Sequence, residues 1–194
     1  MVLAENVARP PVDLEPLRIS DEEFERLQDT DGSVRGYELE DGRLVPMSPV
    51  SGAQSSAWGD FYFYVRQYVD AGKTGKVWLD LATYLDPGGR RRYFPDLVYL
   101  ASEDLDRYDG NKVVGAPTMV CEVVGESSRE RDYEEKMPAY FDAGVEWYWI
   151  VDLVERYTRE YRRGDAGYEL VSSVPFGQPF RPLLFPGLEI VLPE

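Results

Sequence analysis

Asp96, Glu122 and Lys136 are the residues of this 194-residue chain whose types and spacing could do chemistry together. Glu122 interrupts the apolar run Thr118-Met119-Val120-Cys121-Glu122-Val123-Val124. A carboxylate buried without a partner is costly, so an acid there needs a cation, an ion pair or strong hydrogen bonds. Asp96 follows Pro95 and opens a second apolar run, Leu97-Val98-Tyr99-Leu100, and Lys136 lies downstream on an amphipathic stretch. Two carboxylates on adjacent strands with a lysine nearby would hold a metal ion for phosphodiester chemistry. The chain has no histidine, which removes Ser-His and Cys-His catalytic pairs, imidazole zinc ligands and a histidine base. The oxygen ligands that remain suit hard cations such as Mg2+ or Mn2+.

Each residue also has a plainer account. Glu122 could form a structural ion pair with an arginine, and Pro95-Asp96 is ordinary turn chemistry. Asp132 and Lys136 stand four apart, as a helical surface pair does. Glu38 falls on a hairpin position that could face solvent. On a helical wheel, however, Lys136 lies beside Tyr133 and Tyr140, so its stem can cross a sheet while its ammonium reaches a site.

The elements that must position these groups read as a single α/β domain over residues 19–194, preceded by a proline-rich extended arm over residues 1–18. Ser20 and Glu23 form a capping box for a short helix that buries Phe24 and Leu27. Asp41-Gly42 joins two alternating segments into a hairpin. Residues 53–71 repeat Trp58, Phe61, Tyr62, Val65 and Val69 at helical spacing, with Gln54 one turn before Trp58 on the same face. Strands are expected over Lys76–Leu85 and Tyr93–Leu100, with a turn at Asp86-Pro87-Gly88-Gly89 and a polar loop over 101–117. In the Glu122 strand, Met119, Cys121 and Val123 share one face and Val120, Glu122 and Val124 the other. Tyr133, Met137, Tyr140 and Phe141 form a helical stripe ended by Gly144, in which Pro138 predicts a kink or interruption. The apolar strand Glu146–Leu153 completes a parallel crossover, and short strands follow, closing with Leu188–Leu192.

A net charge of −15 argues against a broad sequence-independent grip on nucleic acid, although arginines cluster at Arg90-Arg91-Arg92 and around Arg129, Arg131, Arg156, Arg159, Arg162 and Arg163. No apolar run approaches membrane-spanning length, the start lacks a signal peptide's layout, and Cys121 reads as an inert packed thiol. A cytoplasmic location is the expectation.

Several segments together resemble the Uma-type bacterial restriction-endonuclease family, a branch of the PD-(D/E)XK nuclease superfamily. They are Tyr37 to Pro49, Pro95-Asp96-Leu97-Val98, Glu122-Val123-Val124, Arg131 to Lys136 and Tyr140 to Asp152, and the likeness runs from about Ile19 to Leu192. The resemblance implies a restriction-endonuclease-like mixed sheet flanked by helices, with an N-terminal hairpin and C-terminal strands. It implies Asp96 and Glu122 as metal ligands, with the Val123 carbonyl as a third. Lys136 would take the role of a lysine usually found two residues after the glutamate, where this chain has Val124. Glu38 matches a further acid near the site. Gln54 stands where many members have histidine, and Gly125-Glu126 replaces the usual Ser-Pro.

The reaction this implies is Mg2+- or Mn2+-dependent hydrolysis of DNA by an endonuclease. The sequence leaves the oligomeric state open; a duplex-cutting enzyme often needs two active sites, which a homodimer would supply. A catalytically degenerate nuclease-fold module binding DNA or a protein is the alternative. A glycosidase built on a carboxylate pair is a third reading, without a substrate groove signal to support it.

Overall fold

The computed structural model describes residues 18–30, 34, 36–86 and 90–193. Of the expected arm over residues 1–18 only Arg18 is among them, and of the expected turn Pro87-Gly88-Gly89 lie outside them. Helix α1 (Asp21–Thr30) begins where Ser20 Oγ accepts the Glu23 N–H at 3.2 Å, and it buries Phe24 against Ile19, Val34 and Leu39. Strands β1 (Tyr37–Glu40) and β2 (Arg43–Pro46) follow, paired around Asp41 and Gly42. Both turn residues have positive φ, 47° and 81°, which suits the twist of a two-residue hairpin. A side chain at Gly42 would also meet Arg90 Cδ at 3.0 Å and the Ile19 carbonyl at 3.1 Å.

Helix α2 (Gly52–Gly72) has a full capping box between Ser51 and Gln54. The sequence suggests one strand over Lys76–Leu85, but the structure has two, β3 (Gly75–Leu79) and β4 (Thr83–Tyr84), in different sheets. Asp80, with φ 47°, marks the change of direction. The expected strand Tyr93–Leu100 divides likewise into β5 (Arg92–Tyr93) and β6 (Leu97–Ala101). Pro95 lies at the division and has no N–H to continue a ladder. Asp96 therefore sits at the seam between sheets. The supposed loop after β6 contains a 3₁₀ turn (Ser102–Arg107) and β7 (Val113–Val114) before β8 (Met119–Val124).

After β8 the chain makes a π-helical turn over Arg131–Lys136 and then α3 (Met137–Ala143). This is the interruption that Pro138 predicts. The wider turn ends just before it, leaving proline in the first turn of α3, where a missing N–H costs least. Gly144, at φ 96°, caps the helix. Strand β9 (Trp147–Asp152) then pairs parallel to β8, and β10 (Tyr157–Arg163) and β11 (Tyr168–Pro175) form a long hairpin. Leu188–Leu192 is not a regular strand: a single bridge joins Ile190 to Phe180. Its alternation still holds, because Leu188, Ile190 and Leu192 are buried.

The strands form a mixed six-stranded sheet, β11-β10-β9-β8-β6-β3, and a mixed five-stranded sheet, β2-β1-β5-β4-β7. One face of the larger sheet, with Met119, Cys121 and Val123, packs on Phe61, Val65 and Val69 of α2 and on the C-terminal segment. The other, with Val120 and Val124, packs on Tyr140 of α3 and on Tyr93 and Val113 of the smaller sheet. Fully burying an apolar side chain of this size contributes roughly 1.5–3 kcal/mol. Glu122 belongs to the second face, between the two sheets.

Asp21, at the start of α1, is 6% exposed, and among the described residues neither carboxylate oxygen has a hydrogen-bond partner. Burial, reinforced by Asp86, pushes its carboxyl up to about 6. A raised folded value means that the unfolded chain gives up this proton first, so stability falls as pH rises from about 4 to about 6. Asp21→Asn is expected to remove that loss and to stabilise the protein at pH 7 by roughly 1–2 kcal/mol. Thermal melts from pH 4 to 8 test it; parallel curves for the two proteins would show that Asp21 does not set the slope.

Candidate active site

Five elements meet at one narrow cleft of about 60 Å³. Strand β1 supplies Glu38, the β5–β6 seam supplies Asp96, and β8 supplies Glu122 and Val123. The π turn contributes Arg131, Asp132 and Lys136, while the first turns of α2 contribute Gln54 and Trp58. In the β6–β8 ladder Leu97 pairs with Cys121, so the register carries Asp96 to a position across from Glu122. All the side chains expected from sequence (Asp96, Glu122, Lys136 and Glu38) line this cleft, as does Val123.

Lys136 is the hub. Its Nζ lies 3.1 Å from Glu122 Oε1, 3.3 Å from Glu38 Oε1 and 3.6 Å from Asp132 Oδ1. The ammonium is 5.7 Å from the centre of the Tyr93 ring. Burial works against its charge, but the three carboxylates outweigh burial and hold its pKa well above the lysine range. Asp132 and Lys136 are only 3% and 6% exposed, so the surface-pair account of them fails. The π turn directs both inward.

Glu38 is equally far from a solvent-facing position, at 1% exposed. Its Oε1 accepts the Phe94 N–H at 2.9 Å and its Oε2 pairs with Arg131. Burial opposes its charge, yet Lys136 and Arg131 prevail and keep its pKa below the usual glutamate range. Glu122 behaves oppositely. Its Oε1 accepts the Tyr140 hydroxyl at 2.7 Å as well as Lys136, but burial dominates and raises its carboxyl well above normal. Asp96 Oδ2 accepts the Val123 N–H at 2.5 Å, and burial pushes this carboxyl up to about 7. The Trp58 indole N–H stands near enough to lower that value, yet short of hydrogen-bond geometry.

Gln54 ties α2 to the site. Its Nε2 donates to the Val123 carbonyl at 3.1 Å and its Oε1 accepts the Ser51 N–H at 3.0 Å. A Cβ at Gly125 would lie 3.3 Å from Gln54 Nε2, so glycine gives this carboxamide room.

The cleft joins four carboxylates, Glu38, Asp96, Glu122 and Asp132, to two cations, Arg131 and Lys136. With all four ionised, two negative charges would be uncompensated, and burial together with mutual repulsion resists this by raising the carboxyls of Asp96, Glu122 and Asp132. The oxygen-donor chemistry fits a hard divalent cation. Among the described residues, no three acidic, cysteine or histidine side chains converge to enclose a metal. An ion here would rest on few protein oxygens and keep water, as magnesium does. The site partners not foreseen from sequence are Arg131, Asp132 and Tyr140. Asp132 and Tyr140 lie on helical spacings that include Lys136, so the signal was present, but an ideal α-helix turns Asp132 outward.

Buried acids and a lysine thus gather where the strands of one mixed sheet meet a second sheet. The chain belongs to the Uma2 family, described as "Putative restriction endonuclease", whose model matches residues 21–193. No curated protein matches it. Among solved structures it is similar to "a putative nuclease belonging to DUF820" from Anabaena variabilis ATCC 29413, with TM-score 0.64 and 17% identity, covering 83% of this chain and 86% of that one. At that identity the likeness concerns the fold. No helix among the described residues is long and apolar enough to cross a membrane.

Proposed function

We propose that this chain is a Mg2+- or Mn2+-dependent endonuclease that hydrolyses DNA phosphodiester bonds. The observation that carries the reading is the convergence of Asp96, Glu122, Lys136 and Glu38 in one cleft that holds more carboxylates than cations. Asp96 and Glu122, with the Val123 carbonyl, would hold the cation. When bound, the ion would acidify a water and offset charge on the scissile phosphate.

The chain's own residues divide the remaining work. Glu38 and Asp132 bracket Lys136 and keep it protonated at the cleft wall. From there the ammonium can orient a water or stabilise charge that develops on phosphate oxygens. Arg131, paired with Glu38, keeps that carboxylate ionised and so keeps Lys136 anchored.

Metal-dependent nicking of supercoiled plasmid, reversed by chelation, tests the proposal. A nuclease-fold module without catalysis is the second reading, favoured because Gln54 already engages the Val123 carbonyl. Carboxylate-dependent metal binding without nicking would select it. A homodimer would offer one cleft to each strand of a duplex, and sedimentation with and without DNA would report it. Lys136→Ala is expected to slow cleavage on the order of 10²–10³-fold while Mn2+ binding persists. Loss of both together would mean that Lys136 shapes the binding site instead of serving the reaction.

A further inference from the structure

We infer that Tyr140 is a positioning residue for Glu122, fixing one carboxylate oxygen so that the other is presented to a cation. The inference rests on the metal-site reading above and goes beyond it by naming the group that holds the ligand in place. Tyr140 Oη donates to Glu122 Oε1 at 2.7 Å, and Lys136 approaches the same oxygen at 3.1 Å. Among the described residues, no hydrogen bond reaches Oε2. One oxygen is thus occupied twice while its twin keeps its acceptor capacity.

The two donors differ in mobility. Lys136 has a flexible stem and two other carboxylates within 3.6 Å, so it can leave Glu122 without losing compensation. Tyr140 cannot shift in this way. It is fully buried, its ring edge meets Tyr93 at 5.5 Å and 73°, and Tyr148 packs on it at 5.4 Å. A buried glutamate must also be kept in one rotamer against its entropy. If Lys136 turns to the reacting groups, the phenol is the contact that still orients the carboxylate. Groups that orient a ligand in this way are worth about 10–100-fold in metal affinity.

The test compares Mn2+ isotherms of the full chain, by calorimetry, for the parent protein, Tyr140→Phe, Tyr148→Phe and Glu122→Gln. Tyr148 is a matched control: it is equally buried and packs in the same layer, but its hydroxyl donates to the Asp132 main-chain carbonyl at 2.9 Å. Tyr140→Phe is expected to weaken Mn2+ binding about tenfold or more, with Tyr148→Phe within about twofold of the parent. Parent-like affinity in Tyr140→Phe, or an equal loss in both phenylalanine variants, overturns the positioning role while Glu122→Gln still loses binding. Parent-like Mn2+ binding in Glu122→Gln overturns the metal-site reading and this inference with it.

Discussion

Glu122→Gln is expected to remove divalent-cation binding at the cleft and to lower cleavage ~10³-fold or more, while leaving the metal-free protein as stable as the parent or more so. The opposite signs have one cause. Glu122 is 2% exposed in a strand that is otherwise apolar, and burial raises its carboxyl despite the nearby Lys136. Glutamine keeps the shape and can still accept the Tyr140 hydroxyl, without repulsion from Asp96, Asp132 and Glu38. Lys136 loses one partner but retains Glu38 at 3.3 Å and Asp132 at 3.6 Å, so no buried cation is left bare. Calorimetry with Mn2+, plasmid nicking and thermal melts at neutral pH read the three quantities. A variant that binds metal normally would exclude Glu122 as a ligand. Destabilisation by several kcal/mol would show that the ion pair with Lys136 is structural, the plainer account of this residue.

Where local rules act alone, the fold was legible in sequence. The Asp41-Gly42 hairpin, the capped α2 and the division of β8 into two faces follow from turn chemistry and periodicity. The departures are places where one continuous pattern serves two sheets. Leu81 to Leu85 and Tyr93 to Leu100 read as strands or parts of strands, and alternation does not reveal which sheet each residue joins. Pro95 was the available sign, and its position explains why Asp96 can stand across from Glu122. The acids and lysine of the cleft could be named because a charge in an apolar run is conspicuous. Asp132 was hidden for the converse reason: at four residues from Lys136 on a helix it has an ordinary exposed explanation. Only the π turn, itself tied to Pro138, makes that pair buried. Tyr140 was legible as part of a packing stripe, but a periodic pattern says nothing about where its hydroxyl points.

The same π turn depends on a second buried acid outside the cleft, and Asp152→Ala is expected to destabilise the protein by about 3–4 kcal/mol. Asp152 ends β9 with no exposed surface. Its Oδ1 accepts the Val154 and Glu155 N–H groups at 3.0 and 2.9 Å, shaping the turn into β10. Its Oδ2 accepts the Tyr133 hydroxyl at 3.0 Å and pairs with Arg129 and Arg159, so it fastens the beginning of the helix that carries Asp132 and Lys136. Burial opposes the charge, but the Glu155 N–H, Tyr133 and Arg129 overcome it and depress the carboxyl's pKa. A depressed folded value gives stability that is present above about pH 4 and is lost as pH falls through the folded value. Asp152→Asn should cost less than alanine, because its carbonyl can still take the two turn N–H groups, and it should also remove that acid dependence. Urea unfolding of the three proteins at pH 7 and at pH 3 separates these effects. A loss below about 1 kcal/mol for alanine would mean that Glu155, which also pairs with Arg129 and Arg159, holds the helix start without Asp152.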